Sequence, residues 1–148
     1  MISGRAILPH MDMSVEEFAT LGESRFPGLI GFRVVTSEPG RLVAQLDIRP
    51  DLTAPNGYLH AATVIGLADT ACGYACRLLL PDGSSGFTTV ELKANFLGTA
   101  LSGTLEAVAT VVHSGRTTQV WDAAVRHVET DRTIAAFRCT QLVLWPKG

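Results

Sequence analysis

The 148-residue sequence contains no run of basic residues, no clustered set of metal-ligating side chains, and no repeat or low-complexity segment. Each absence removes a class of function. Its twelve lysines and arginines are scattered and outnumbered by fourteen acidic residues, for a net charge of -2, so nothing resembles the cationic footprint that a nucleic-acid backbone requires. The four histidines, His10, His60, His113 and His127, do not group at ligand spacing, and neither a metal nor any other cofactor is expected. Cysteine is scarce and odd in number. Cys72 and Cys76 stand one helical turn apart and read as small core residues in a reducing compartment. The amino terminus has no apolar core of signal-peptide type, so the expected location is cytoplasmic. A chain of this length forms one domain with a sizeable core.

What the sequence does contain is a long apolar run. Residues 61–80 carry two formal charges, Asp69 and Arg77, and as a helix they would span about 30 Å. A helix apolar nearly all round either crosses a membrane or is wrapped by the rest of its protein. Asp69 near mid-bilayer would cost roughly 2.5 to 3.5 kcal/mol, and the segments that follow are half polar, so the wrapped helix is the expectation. On that helix Asp69 shares a face with Ala62, Ile65, Gly66, Cys72, Gly73 and Cys76. A lone carboxylate there must be met by a hydrogen-bonding network, a protonated state or a substrate, unless it caps a loop or pairs with an arginine.

The rest of the chain supplies the wrapping. Ser14 and Glu17 form a capping box that predicts a short helix over 15–21, after an extended arm over residues 1–13. Phe26-Pro27-Gly28 reads as a turn, and it and the apolar Leu29-Ile30-Gly31-Phe32 pack either over a site or over the core, with the core the expectation. Residues 31–37 and the alternating stretch from Arg41 predict a hairpin around Glu38-Pro39-Gly40. Four further alternating segments, 87–97, 104–113, 117–129 and 133–145, are separated by short turns, which predicts antiparallel neighbours. In the first, Val90, Leu92, Ala94 and Phe96 are expected on one face and Thr89, Glu91, Lys93 and Asn95 on the other. The result is an α+β domain: one long helix with about six antiparallel strands curled around it.

This order of elements, with Asn56-Gly57-x-x-His60, then Leu67-Ala68-Asp69-Thr70-Ala71, then the strand Thr88-Thr89-Val90-Glu91-Leu92, resembles the hotdog-fold acyl-CoA thioesterases, in particular the PaaI-like group. The resemblance implies a single hotdog domain over residues 29–148, preceded by the arm and short helix of residues 1–28. It also implies hydrolysis of acyl-CoA thioesters at a site shared across the interface of a homodimer or dimer of dimers (a homotetramer). Asp69 matches the family's acidic nucleophile or general base. His60 matches the histidine that starts the helix, where backbone N-H groups such as that of Ala61 polarise the thioester carbonyl. Ala61-Ala62 here replaces the usual two glycines, which leaves a backbone donor but restricts close approach of substrate.

Asn56 is the expected loop amide that places the attacking water, although the family's amide often falls where this chain has Ala54. Thr89 matches a residue that reaches the acidic group of the other subunit. Gly57, Thr70, Arg116 and Thr117 are the expected substrate-binding residues, the last two in a hairpin that in the family lies near the CoA arm or phosphates. Two alternatives stay open: a non-catalytic acyl-CoA-binding protein, and a hotdog hydratase or dehydratase with His60 as base. A cysteine nucleophile is disfavoured, since no histidine lies at helical spacing from Cys72 or Cys76.

Overall fold

The computed structural model describes residues 13–148, so most of the expected arm lies outside the described residues. Local chemistry sets the first element. Ser14 Oγ accepts the Glu17 N-H at 3.2 Å and the Glu17 carboxylate accepts the Ser14 N-H at 2.7 Å, opening helix α1 (Val15–Gly22). The capping box thus satisfies backbone donors that a helix start leaves unpaired. Phe26-Pro27-Gly28 is not a simple turn. It winds one helical turn, α2 (Phe26–Leu29), with Pro27 in the first turn, where its missing N-H has no intrahelical role.

The central helix, α3, runs Ala61–Leu78, about 27 Å. Leu67, Ala68, Ala71, Cys72, Ala75 and Cys76 are fully buried, and the small side chains among them let the sheet approach closely. Truncating a full-sized member of this core such as Leu67 to alanine would cost about 2 to 5 kcal/mol. The wrapping is incomplete: Ala61 and Ala62 are exposed, and Ile65, Asp69, Thr70 and Tyr74 are half-buried. Among the described residues no helix is long and apolar enough to cross a membrane.

Six strands form one antiparallel sheet in the order β1-β2-β4-β5-β6-β3. They are β1 (Arg33–Glu38), β2 (Arg41–Asp47), β3 (Gly86–Phe96), β4 (Thr104–Ser114), β5 (Thr118–His127) and β6 (Arg132–Leu144). Short connections do join neighbours at β1-β2, β4-β5 and β5-β6, but β3 and β4 are not paired, which corrects the expectation for that link. The seven residues 97–103 can span up to ~23 Å, whereas three strand spacings are about 14 Å. The chain therefore crosses the ends of β6 and β5, held there by Leu97 and Gly98 N-H groups that both donate to Ile134 O. In exchange β4 pairs with β2, aligning the buried Leu42, Ala44 and Leu46 with Ala109, Ala107 and Leu105 beneath α3.

A second correction concerns the faces of β3. Thr89 pairs with Gln141 and Leu92 with Cys139, but the register slips between Thr89 and Glu91, leaving Val90 as a bulge residue. Gln141, Cys139 and Phe137 are buried on the helix side of β6. Their partners Thr89, Leu92 and Ala94 therefore share that side, and Thr89 does not point outward with Glu91.

Candidate active site

Asp69 stands midway along α3, flanked on the helix by the fully buried Ala68 and Cys72. Burial raises its pKa above the ordinary carboxylate value, and a hydrogen bond from Thr89 opposes that rise. Thr89 Oγ1 lies 3.3 Å from Asp69 Oδ1 and 2.8 Å from Gln141 Oε1. Neither structural alternative for this carboxylate is realised: among the described residues it caps no loop and pairs with no arginine. The Thr89 contact forms within one chain, whereas the resemblance implied contact between subunits. Thr89 meets its own helix because, like its register partner Gln141, it lies on the helix side of the sheet.

A second group gathers at the start of α3. His60 is the N-cap, its Nδ1 accepting the Ala62 N-H at 2.9 Å and its carbonyl accepting the Thr63 N-H. An Nδ1 used as acceptor places the proton of the neutral ring on Nε2. The Ala61 N-H, exposed at the positive end of the helix, makes no bond to another described residue. Asn56 Oδ1 accepts the Tyr58 N-H at 3.2 Å, and the Gly57 N-H donates to Ala54 O at 2.8 Å with Gly57 at φ +84, a tight loop leading into the helix. The Asn56 oxygen is thus committed to its own turn.

Beside this helix start is a mainly apolar hollow lined by Phe26, Leu29, Leu52, His60 and Ala62, with the Arg49–Asp51 ion pair in its wall. The segment expected over the core divides. Ile30 and Phe32 do pack against it, while Phe26 and Leu29 remain exposed and wall the hollow. Gly66 permits this, since a Cβ there would come within 3.0 Å of the Phe26 ring. Asp69 is not among the lining residues; nine residues beyond His60, it lies ~13 Å further along the axis.

The third group is elsewhere again. The Arg116 guanidinium lies 4.3 Å over the Trp145 ring, Trp145 Nε1 donates to Arg116 O at 3.2 Å, and Thr117 O accepts the Val143 N-H. Sequence reasoning missed Gln119 and Gln141, both fully buried. A signal existed for the second: Gln141 occupies the core parity of β6 with Ala135, Phe137, Cys139 and Val143. The cysteines are poor nucleophiles. Burial pushes the Cys76 thiol up to about 12, and the Cys139 contact together with burial pushes Cys72 well upward.

A long helix laid across a six-stranded antiparallel sheet, with an acidic residue in mid-helix and one unpaired backbone donor, the Ala61 N-H, at its start, defines the hotdog class of thioester hydrolases. The chain belongs to the thioesterase superfamily, whose family model matches residues 56–134. It is 33% identical over 112 residues to the 1,4-dihydroxy-2-naphthoyl-CoA hydrolase of Listeria monocytogenes, covering 75% of this chain and 89% of that protein. It is 29% identical over 110 residues to the acyl-coenzyme A thioesterase PaaI of Escherichia coli, covering 74% and 75%. The crystal structure of a thioesterase from Haemophilus influenzae matches with a TM-score of 0.85 at 25% identity, over 93% of this chain and 95% of that one.

Proposed function

We propose that this protein is an acyl-CoA thioesterase, converting an aryl- or short- to medium-chain acyl-CoA and water into the free acid and CoA. The observation that carries the reading is Asp69: a half-buried carboxylate with no cation beside it among the described residues and one hydroxyl bonded to it, on the scaffold of a thioester-hydrolase family. Such a group is a stronger base or nucleophile than a solvated one. Asp69 either attacks the thioester carbonyl or deprotonates a water that Thr89 and Asn56 help to place. The Ala61 N-H is the oxyanion donor, favoured by the helix dipole. CoA thiolate is a good leaving group and needs little acid assistance.

Within one chain the helix start and Asp69 are too far apart to serve one carbonyl. The reading therefore includes a homodimer in which the helix start of one subunit completes the site around Asp69 of the other. The hollow walled by Phe26 and Leu29 receives the apolar acyl group, and Gly57, Thr70, Arg116 and Thr117 contact the remainder of the substrate. Three free, buried cysteines are consistent with a cytoplasmic location.

The test is thiol release from a panel of aryl, short, medium and long acyl-CoA esters, wild type beside Asp69→Asn. Wild type should turn over at least one ester, with the variant slower by on the order of a hundredfold or more. Wild-type turnover in the variant would overturn the role of Asp69, and no thiol release from any ester by either protein would overturn hydrolysis.

A further inference from the structure

Strand register places Gln119 on β5, Gln141 on β6 and Thr89 on β3 in one row across the sheet, and Asp69 of α3 meets the end of that row. Both glutamines are fully buried, and a buried amide is costly unless each of its ends is paired. Gln119 has one way to be satisfied. Trp121 Nε1, which can only donate, lies 2.9 Å from its Oε1, and the Leu79 carbonyl, which can only accept, lies 2.9 Å from its Nε2.

Gln141 is different, because both its partners can donate or accept. Its Oε1 lies 2.8 Å from the Thr89 hydroxyl and its Nε2 lies 3.4 Å from Cys139 Sγ. A hydroxyl has one proton. With Oε1 toward Thr89 that proton goes to Gln141, and the 3.3 Å approach to Asp69 is a hydrogen bond only when Asp69 is the neutral acid and donates. When Asp69 ionises, two acceptors face one proton. Rotating the amide by half a turn resolves the conflict: Nε2 donates to Thr89 Oγ1, Thr89 donates to Asp69 Oδ1, and the Cys139 thiol donates to Oε1. Every polar atom in the row is then paired.

We infer that Gln141 is a positioning residue for Asp69, its amide holding the Thr89 hydroxyl as a donor to the Asp69 carboxylate. The inference rests on the reading of Asp69 as the reacting group. Linked hydrogen bonds reinforce one another, and bonds that end on an anion are the strongest, so the relay favours the charged form that hydrolysis needs against the desolvation that burial imposes. No nearer charge does this work. The titratable group that interacts with Asp69 is the Cys72 thiol on α3, itself in contact with Cys139 on β6. Asp122 of β5 is paired with Arg138 on the opposite side of the sheet, where Lys93 of β3 also lies, and Glu91 of β3 accepts from Thr140.

The test follows the Asp69 carboxyl directly, by NMR titration of protein carrying carbon-13 in the aspartate side-chain carboxyls, with the resonance assigned by its loss in Asp69→Asn. The Asp69 midpoint should move to higher pH in Thr89→Val and, by less, in Gln141→Leu. Gln141→Leu should add nothing in the Thr89→Val background, since Gln141 acts only through that hydroxyl. Gln141→Met, which keeps length but lacks the amide, should repeat the Leu result and serves if the Leu variant does not fold. The acid limb of kcat/KM on the best ester should move in the same order, with Gln141→Leu on the order of threefold to tenfold slower on the acid side only. A Gln141 variant that titrates as wild type, or whose shift persists in full without the Thr89 hydroxyl, overturns the inference. If Asp69→Asn keeps its turnover while the titration pattern holds, the catalytic reading fails and the relay stands.

Discussion

At one edge of the sheet, β1 presents Arg33, Thr36 and Glu38 to solvent and packs against α1; at the other, β3 exposes Val90, Leu92 and Phe96. The first edge carries several devices that discourage strand pairing. Arg33 makes two hydrogen bonds to Asp47, at 3.0 and 3.1 Å, a bulge interrupts the register between Val34 and Thr36, and α1 anchors beside it through Phe18 stacked on Tyr74. The second edge also has a bulge, but this one lies beside Thr89, which meets Asp69, and the edge leaves Val90, Leu92 and Phe96 exposed. One edge is closed and the other is fit for a partner. That the candidate carboxylate Asp69 meets Thr89 of this unfinished edge fits the proposal that a second subunit completes the site.

The most severe way to break this comparison is to charge the open edge. Val90→Lys combined with Leu92→Lys should leave a monomer that releases little or no thiol, because an unpaired charge buried at an interface costs about 3 to 5 kcal/mol, on the order of a hundredfold or more in association. Val35→Lys, at the bulge of the closed edge, should change neither mass nor turnover. Sedimentation equilibrium and thiol release on the same samples decide it. A fully active dimer carrying both lysines would show that β3 is not where the partner sits.

A smaller effect sharpens the contrast between two carboxylates. The Arg33 hydrogen bonds hold Asp47 below its ordinary value of 3.8, whereas burial holds Asp69 above it. Asp47 therefore contributes stability above its unfolded pKa and loses it as pH falls through the lower folded value. Asp69 does the reverse: its cost is absent below the unfolded pKa, grows as pH rises toward the higher folded value, and persists beyond it. Urea unfolding between pH 3 and 8 should show Asp69→Asn gaining on wild type as pH rises and Asp47→Asn losing, the latter by no more than about 1 kcal/mol because the pair is exposed. Parallel curves for the two variants would contradict this assignment.

The same contrast explains what could be read from the sequence. Period-2 alternation and the apolar run located every strand and the long helix, and a lone carboxylate on a small-residue face singled out Asp69. Alternation is blind to an inserted residue, so the bulge at Val90 put Thr89 on the wrong face. Connection length is equally blind to a chain that crosses two strand ends, and the β3-β4 link misled for that reason. Gln141 was legible as a polar residue at core parity, but its meaning depends on Thr89, whose direction was not. The hollow at the helix start was not legible, because its walls, Phe26 and Leu29, come from an exposed helical turn with no periodic signal.

The mildest perturbation tests whether the closed edge is only scaffold. Ser14 caps α1, the helix that lies over β1, and Ser14→Ala removes the acceptor for the Glu17 N-H while leaving every residue of the candidate site in place. Loss of such a cap costs about 1 kcal/mol, and in a protein of this size that lowers Tm by roughly 3 °C. Thiol release at a temperature well below the transition should be unchanged, because α1 meets the sheet at β1, the edge opposite the strand that carries Thr89. Calorimetry and turnover measured together make the outcome two-dimensional. A stability loss with full activity confirms that the closed edge supports the fold alone. Activity that falls while Tm holds would mean that α1 reaches the substrate, and the division between a finished edge and a functional one would have to be redrawn.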